Sequence, residues 1–150
     1  MTRLYTLTTA IGIATALVVA TTFSTIAAGG GTVQAPAVSC ANLASLSLVN
    51  TTITSAAVIE AGMFIPSGAS GERALAAAAR TYGGLPAFCR VMATLAPSSD
   101  SDIKVEVWLP VEDWNGKYQA VGNGAFTGSI RHNSMAAALG RGYASSSTDT

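Results

Sequence analysis

IKVEVWLPVEDWNGKYQAVGNGAFTGSIRHNSMAAALGRGYASSST, residues 103–148, decides the architecture. Within it Ile103, Val105, Val107 and Leu109 alternate with Lys104, Glu106 and Trp108. That period of two predicts a half-exposed strand, and Pro110 ends it. Val111 to Lys117 reads as a turn and Tyr118 to Val121 as a short strand. Gly122-Asn123-Gly124 forms a glycine-dense loop, Met135 to Arg141 an Ala-rich helix closed by Gly142, and Tyr143 to Thr148 another short strand. Strand, glycine loop, helix, strand is a βαβ unit, which implies a parallel sheet covered by helices.

Working back from this block, Pro97 to Asp102 is a polar turn cluster and Phe88 to Leu95 a strand. Glu72 to Arg80 is a short Ala-rich helix, and Gly83-Gly84 with Pro86 ends any helix there. Gly68 to Gly71 is a loop, Thr51 to Ala61 a strand favoured by its β-branched residues, and Cys40 to Leu46 a brief helical turn. Gly29 to Pro36, with three consecutive glycines, belongs to a flexible linker over 28–39.

The first 27 residues read as an export signal. Arg3 is the only charge before Glu60, an apolar stretch runs from Ala10 to Ala20, and Thr25 and Ala27 suit cleavage after Ala27. The rival is a membrane anchor, which needs about 20 consecutive apolar residues. Thr15, Thr21, Thr22, Ser24 and Thr25 interrupt this one. Cleavage and release to a secreted or periplasmic location is the expectation, with no stable membrane anchor. Cys40 and Cys89 are an even pair in a chain bound for an oxidising compartment, where a disulfide is expected. Two buried free thiols are the other option that spacing leaves open.

Composition excludes some partners. Of 150 residues, 49% are hydrophobic and only 11% charged, and eight basic residues balance eight acidic ones. No basic stripe suits nucleic acid. No Cys/His spacing suits zinc.

The catalytic inventory is short. His132 is the sole histidine, read as a solvent-facing loop residue, and no serine lies in a G-x-S-x-G elbow. Glu112 and Asp113 are adjacent carboxylates in a solvated turn, and Ser145 to Ser147 is a polar run with no base beside it. Gly122 and Gly124 follow a strand, but Gly128 comes one position late for G-x-G-x-x-G, which argues against a dinucleotide site. Glycines after a strand also let backbone N–H groups approach a substrate closely.

Three stretches, IKVEVWLPV at 103–111, WNGKYQAVGNGAFTGS at 114–129 and MAAALGRGYASSSTDT at 135–150, resemble the N-terminal part of the tannase and feruloyl esterase family. That family includes hydrolases of mono(2-hydroxyethyl) terephthalate. The resemblance extends back through 40–57 and 85–92, and the W-N-G-[KR]-[FY] turn followed by a G-N-G-G-type loop is its most specific element. It implies an α/β-hydrolase fold, of which residues 40–150 would be a truncated N-terminal part. Ser in G-C-S-x-G-G, Asp, His and a calcium-bearing lid would all lie beyond Thr150. By the same resemblance, Cys40 and Cys89 match the family's first disulfide. The backbone N–H of Ala125 matches an oxyanion donor, with Gly122, Asn123 and Gly124 as the substrate loop. The family commonly has Gly where Ala125 stands. Alanine keeps the N–H but takes a positive φ only at a cost. The expected full-length activity is hydrolysis of small phenolic esters of galloyl or feruloyl type, with this piece alone inactive and without cofactor. The alternative is a non-catalytic secreted binding module or a decayed gene product.

Overall fold

The computed structural model describes residues 38–150. The expected export signal and linker therefore lie outside the described residues, apart from Val38 and Ser39, which are exposed. A short 3-10 helix, Ala41–Ser45, is followed by β1 (Thr51–Ile59), α1 (Glu72–Tyr82), β2 (Phe88–Leu95), β3 (Ile103–Pro110), β4 (Tyr118–Val121), α2 (His132–Leu139) and β5 (Ala144–Thr148). The five strands form one sheet in the order β1-β2-β3-β5-β4.

The parallel sheet inferred from the βαβ pattern is confined to one pair. β4 and β5 run parallel, from Tyr118 opposite Ala144 to Val121 opposite Ser147. β1–β2, β2–β3 and β3–β5 are antiparallel. Connection length explains the difference. The short 96–102 link can join β2 to β3 only as antiparallel neighbours, whereas the α2 crossover returns the chain in the same direction.

Strand β3 also turns its faces opposite to what hydrophobicity alone would choose. Glu106 and Trp108 point inward, at 2% and 0% exposure, while Val105, Val107 and Leu109 are only half-buried on the other face. The inner face meets a core of Phe64, Ala78, Tyr82, Leu85, Phe88, Trp108, Met135 and Leu139. Its centre is aromatic: Phe64 lies 4.6 Å from Trp108 and 4.9 Å from Tyr82, both edge-to-face, and Phe88 lies 4.5 Å from Trp108. Such pairs add about 0.5–1.5 kcal/mol each beyond the area they bury.

Helix α1 buries Ala78 and Tyr82, one turn apart, so its otherwise weak Ala-rich sequence needs only one stripe to dock. Gly83 caps its C-terminus, giving its N–H to the Ala79 carbonyl oxygen, and only glycine fits there, because an added Cβ would stand 2.4 Å from that same oxygen. On the outer face, the Cys40–Cys89 disulfide, with Cα atoms 5.6 Å apart, ties the N-terminal 3-10 helix to β2.

Candidate active site

Three groups of residues organise the end of the sheet where β4 and β5 finish, and the turn at its opposite end. At the opposite end, the Trp114-Asn115-Gly116-Lys117 turn is a staple. Asn115 donates from Nδ2 to the Arg141 carbonyl at 2.7 Å, accepts from the Lys117 N–H at 2.9 Å, and gives its backbone N–H to Gly142 O at 3.0 Å. Trp114 Nε1 donates to Lys117 O at 3.0 Å, and the Ala144 N–H reaches the same oxygen at 3.0 Å. Gly116 and Gly142 both take φ +77°, where L side chains are strained. The motif thus fixes how β4 and β5 start side by side.

At the carboxyl end, the chain leaves β4 through Gly122-Asn123-Gly124-Ala125 and enters α2 at His132. Gly122, Gly124 and Ala125 are exposed, but Asn123 is half-buried. Its Nδ2 donates to Thr148 O at 3.3 Å and also to Thr150 O, while its Oδ1 accepts the Ser129 N–H at 3.3 Å. Ala125 adopts φ +55°, in the small left-handed region open to L-residues. No acceptor among the described residues engages its N–H. Phe126, next to it, is fully exposed. In open α/β sheets this is the end where ligands bind.

Behind the loop lies a group that local sequence reasoning did not assemble. Arg90 donates to Glu106 through Nε at 2.9 Å and Nη2 at 2.5 Å, a bidentate pair. Trp108 Nε1 donates to Glu106 Oε2 at 3.0 Å, and His132 Nε2 lies 3.2 Å from Oε1. An ionised carboxylate only accepts, so His132 carries the proton on Nε2. Burial alone would lift the Glu106 carboxyl, but donation by His132, Arg90 and Trp108 and the Arg90 charge outweigh it and bring it down to about 2. Arg90 also reaches Ser67 Oγ at 3.0 Å and caps the Phe64 ring at 5.1 Å. His132, read from sequence as a solvent-facing loop residue, is instead the first residue of α2. Its ring is stacked on Trp108 and only 18% exposed. A lone arginine inside the apolar strand Phe88–Leu95 was the signal that a buried acid lay on the neighbouring strand, diagonal to it.

A cavity of about 340 Å³ opens beside this group, lined by Pro66, Tyr82, Ser129, Ile130, Arg131, His132 and Asn133. Tyr82 donates its hydroxyl to Asn133 Oδ1 at 2.6 Å, and burial raises its phenol pKa. Ser147 Oγ accepts the Arg131 N–H at 3.1 Å, so the polar run of β5 serves as a helix anchor. Among the described residues no three His, Cys, Asp or Glu side chains gather as a metal site, and the calcium implied by the resemblance is assigned to none of them. No helix among these residues is long and apolar enough to cross a membrane.

Comparison with known proteins bears on this arrangement. Residues 89–150 match the family described as tannase and feruloyl esterase. An uncharacterized esterase of Xanthomonas campestris pv. campestris is 42% identical over 128 residues, covering 83% of this chain and 20% of that protein. A probable feruloyl esterase B-1 of Aspergillus oryzae is 38% identical over 63 residues, 42% of this chain and 12% of that protein. The crystal structure of feruloyl esterase B from Aspergillus oryzae superposes with a TM-score of 0.57 at 27% identity, covering 73% of this chain and 20% of that one. The mixed five-stranded sheet with its helices is therefore part of an α/β-hydrolase fold. The chain spans about a fifth of the length of the first of these relatives.

Proposed function

From the match of residues 89–150 to the tannase and feruloyl esterase family, we propose that the chain supplies the first strands and one oxyanion-hole donor of an exported serine carboxylic ester hydrolase acting on small phenolic esters. The donor is the backbone N–H of Ala125. Serine, histidine and aspartate would come from other segments of the longer protein. Serine attacks the ester carbonyl, histidine takes and returns the proton, and aspartate orients the histidine. Residues 38–150 bring no nucleophile to that chemistry, and the 150-residue chain alone should show no ester hydrolysis above background.

The observation that carries this reading is the Ala125 N–H, unengaged among the described residues, on the loop between β4 and α2. The corresponding strand-to-helix loop of α/β-hydrolases provides an oxyanion N–H. The Cys40–Cys89 bond supports export, since such bonds persist in oxidising compartments. The galloyl or feruloyl character of the acid rests on the family resemblance alone.

The test is Ala125→Pro in the full-length enzyme. Proline removes the N–H and, because it locks φ near −65°, also swings the chain away from the φ of +55° that Ala125 holds, so turnover should fall by at least about 10²-fold, the floor set by one lost oxyanion donor. The loss should lie in kcat, because the donor acts as charge develops. A proline variant with unchanged melting temperature and unchanged kcat would remove this loop from the active site.

A further inference from the structure

The glycine-dense loop after β4 contains one residue whose side chain turns into the protein. Asn123 stands between two exposed glycines yet is itself half-buried, and all its described hydrogen bonds run into the protein. Through Oδ1 it closes the loop on itself at Ser129, and through Nδ2 it fastens the loop to the end of β5 at Thr148 and Thr150. That end is itself held. Asp149 gives its N–H to Lys104 O at 3.1 Å and accepts the Lys104 N–H on Oδ1 at 2.8 Å, which locks it against the start of β3. Gly128, at φ +54°, leaves the loop close to the same segment, where an added Cβ would stand 3.4 Å from Asp149 O.

We infer that Asn123 is the positioning residue of the oxyanion loop: it spans residues 123–129 and anchors them to the end of β5, which is itself held to the start of β3, so that the Ala125 N–H is held at a fixed place and direction. This inference rests on the proposed role of Ala125. An exposed, glycine-rich turn has little else to fix it, since Gly122 and Gly124 contribute no side chains and Phe126 packs on nothing described. A donor pays off in the transition state only if it is preorganised, and displacement by about 1 Å can cost about 10²-fold in rate.

The experiment compares Asn123→Ala and Asn123→Asp in the full-length enzyme, beside Ala125→Pro. Asn123→Ala removes both sets of bonds. Asn123→Asp keeps an acceptor for Ser129 but cannot donate to Thr148, and it serves alone if the alanine variant does not fold. Both should lower kcat about 10- to 100-fold with KM within about threefold, because a misdirected donor is felt as charge develops. Amide exchange at Ser129 should quicken in the alanine variant and stay slow in the aspartate variant. If Ala125→Pro lowers kcat while the Asn123 variants stay within twofold of the parent, the positioning role is wrong and the oxyanion reading survives. If Ala125→Pro has no effect, the oxyanion reading falls and this inference with it.

Discussion

Arg90 on β2 reaches diagonally to Glu106 on β3, two positions from its register partner Trp108, to form a bidentate ion pair with the carboxylate 2% exposed and the guanidinium 13% exposed. Removing one member of such a pair leaves the other charge buried and uncompensated, which costs about 3–5 kcal/mol. Glu106→Ala and Arg90→Ala should each lose stability on that scale in urea titrations. A paired apolar replacement, Arg90→Met with Glu106→Leu, should recover much of the loss, because neither charge then remains to be solvated. Trp108 and His132 would lose an acceptor in the pair, so recovery should stop short of the parent.

The same carboxylate predicts acid sensitivity. Its pKa is depressed in the folded state to about 2, from 4.5 in a free chain. A depressed carboxyl stabilises the fold fully above the unfolded pKa and loses that contribution as pH falls through the folded one. Stability should therefore decline between about pH 4.5 and 2, by on the order of 3 kcal/mol from this group. Glu106→Gln should flatten that part of the stability profile while lowering the plateau at neutral pH.

Ala125→Gly tests the loop from the side of stability. An alanine at φ +55° carries roughly 1–2 kcal/mol of left-handed strain, and glycine relieves it. Glycine also adds about 0.4–1 kcal/mol of unfolded-chain entropy. The net should be a gain of about 0–1.6 kcal/mol, read as a small rise in melting temperature, with turnover of the full-length enzyme kept or raised. A fall in turnover would mean that the Ala125 methyl group contributes to the site.

Strand positions were legible because their signals are local. Phe88–Leu95 coincides with β2 end to end, and the 3-10 helix, α1 and β1 lie within two residues of where turn residues and β-branched density place them. The Gly122-Asn123-Gly124 stretch was legible as a loop from its glycine density after a strand. The inner face of β3 was not. Val105, Val107 and Leu109 look like the core side, yet Glu106 and Trp108 go inward, since the acid finds Arg90 sixteen positions back and His132 twenty-six positions on. Partners that distant leave no trace in a pattern of period two. The same blindness put His132 in solvent.

The disulfide closes a separation of 49 residues. In the chain-entropy model that is worth about 4 kcal/mol. Replacing Cys40 and Cys89 together by alanine should cost stability of about 2–4 kcal/mol, the usual yield for such a bond. Non-reducing peptide mapping should recover the two peptides joined, and alkylation of both thiols without prior reduction would contradict the bond.

Gly142 makes the staple turn possible. Its φ is +77°, and an added Cβ would stand 2.7 Å from Asp113 O. Gly142→Ala should lose about 2–4 kcal/mol, strain and overlap combined. Gly68 is the control: it shares a positive φ of 82° but has nothing within 4 Å, so Gly68→Ala should lose only the strain.

The order β1-β2-β3-β5-β4 also sets an order of assembly along the chain. The β1-β2-β3 meander can form as soon as Pro110 emerges, but β4 has no partner then, because its only neighbour in the sheet is β5. Residues 118–121 must wait, edge bare, until Ala144–Thr148 is made and slides into the gap beside β3. Until then the unpaired β4 backbone is open to pairing with another chain.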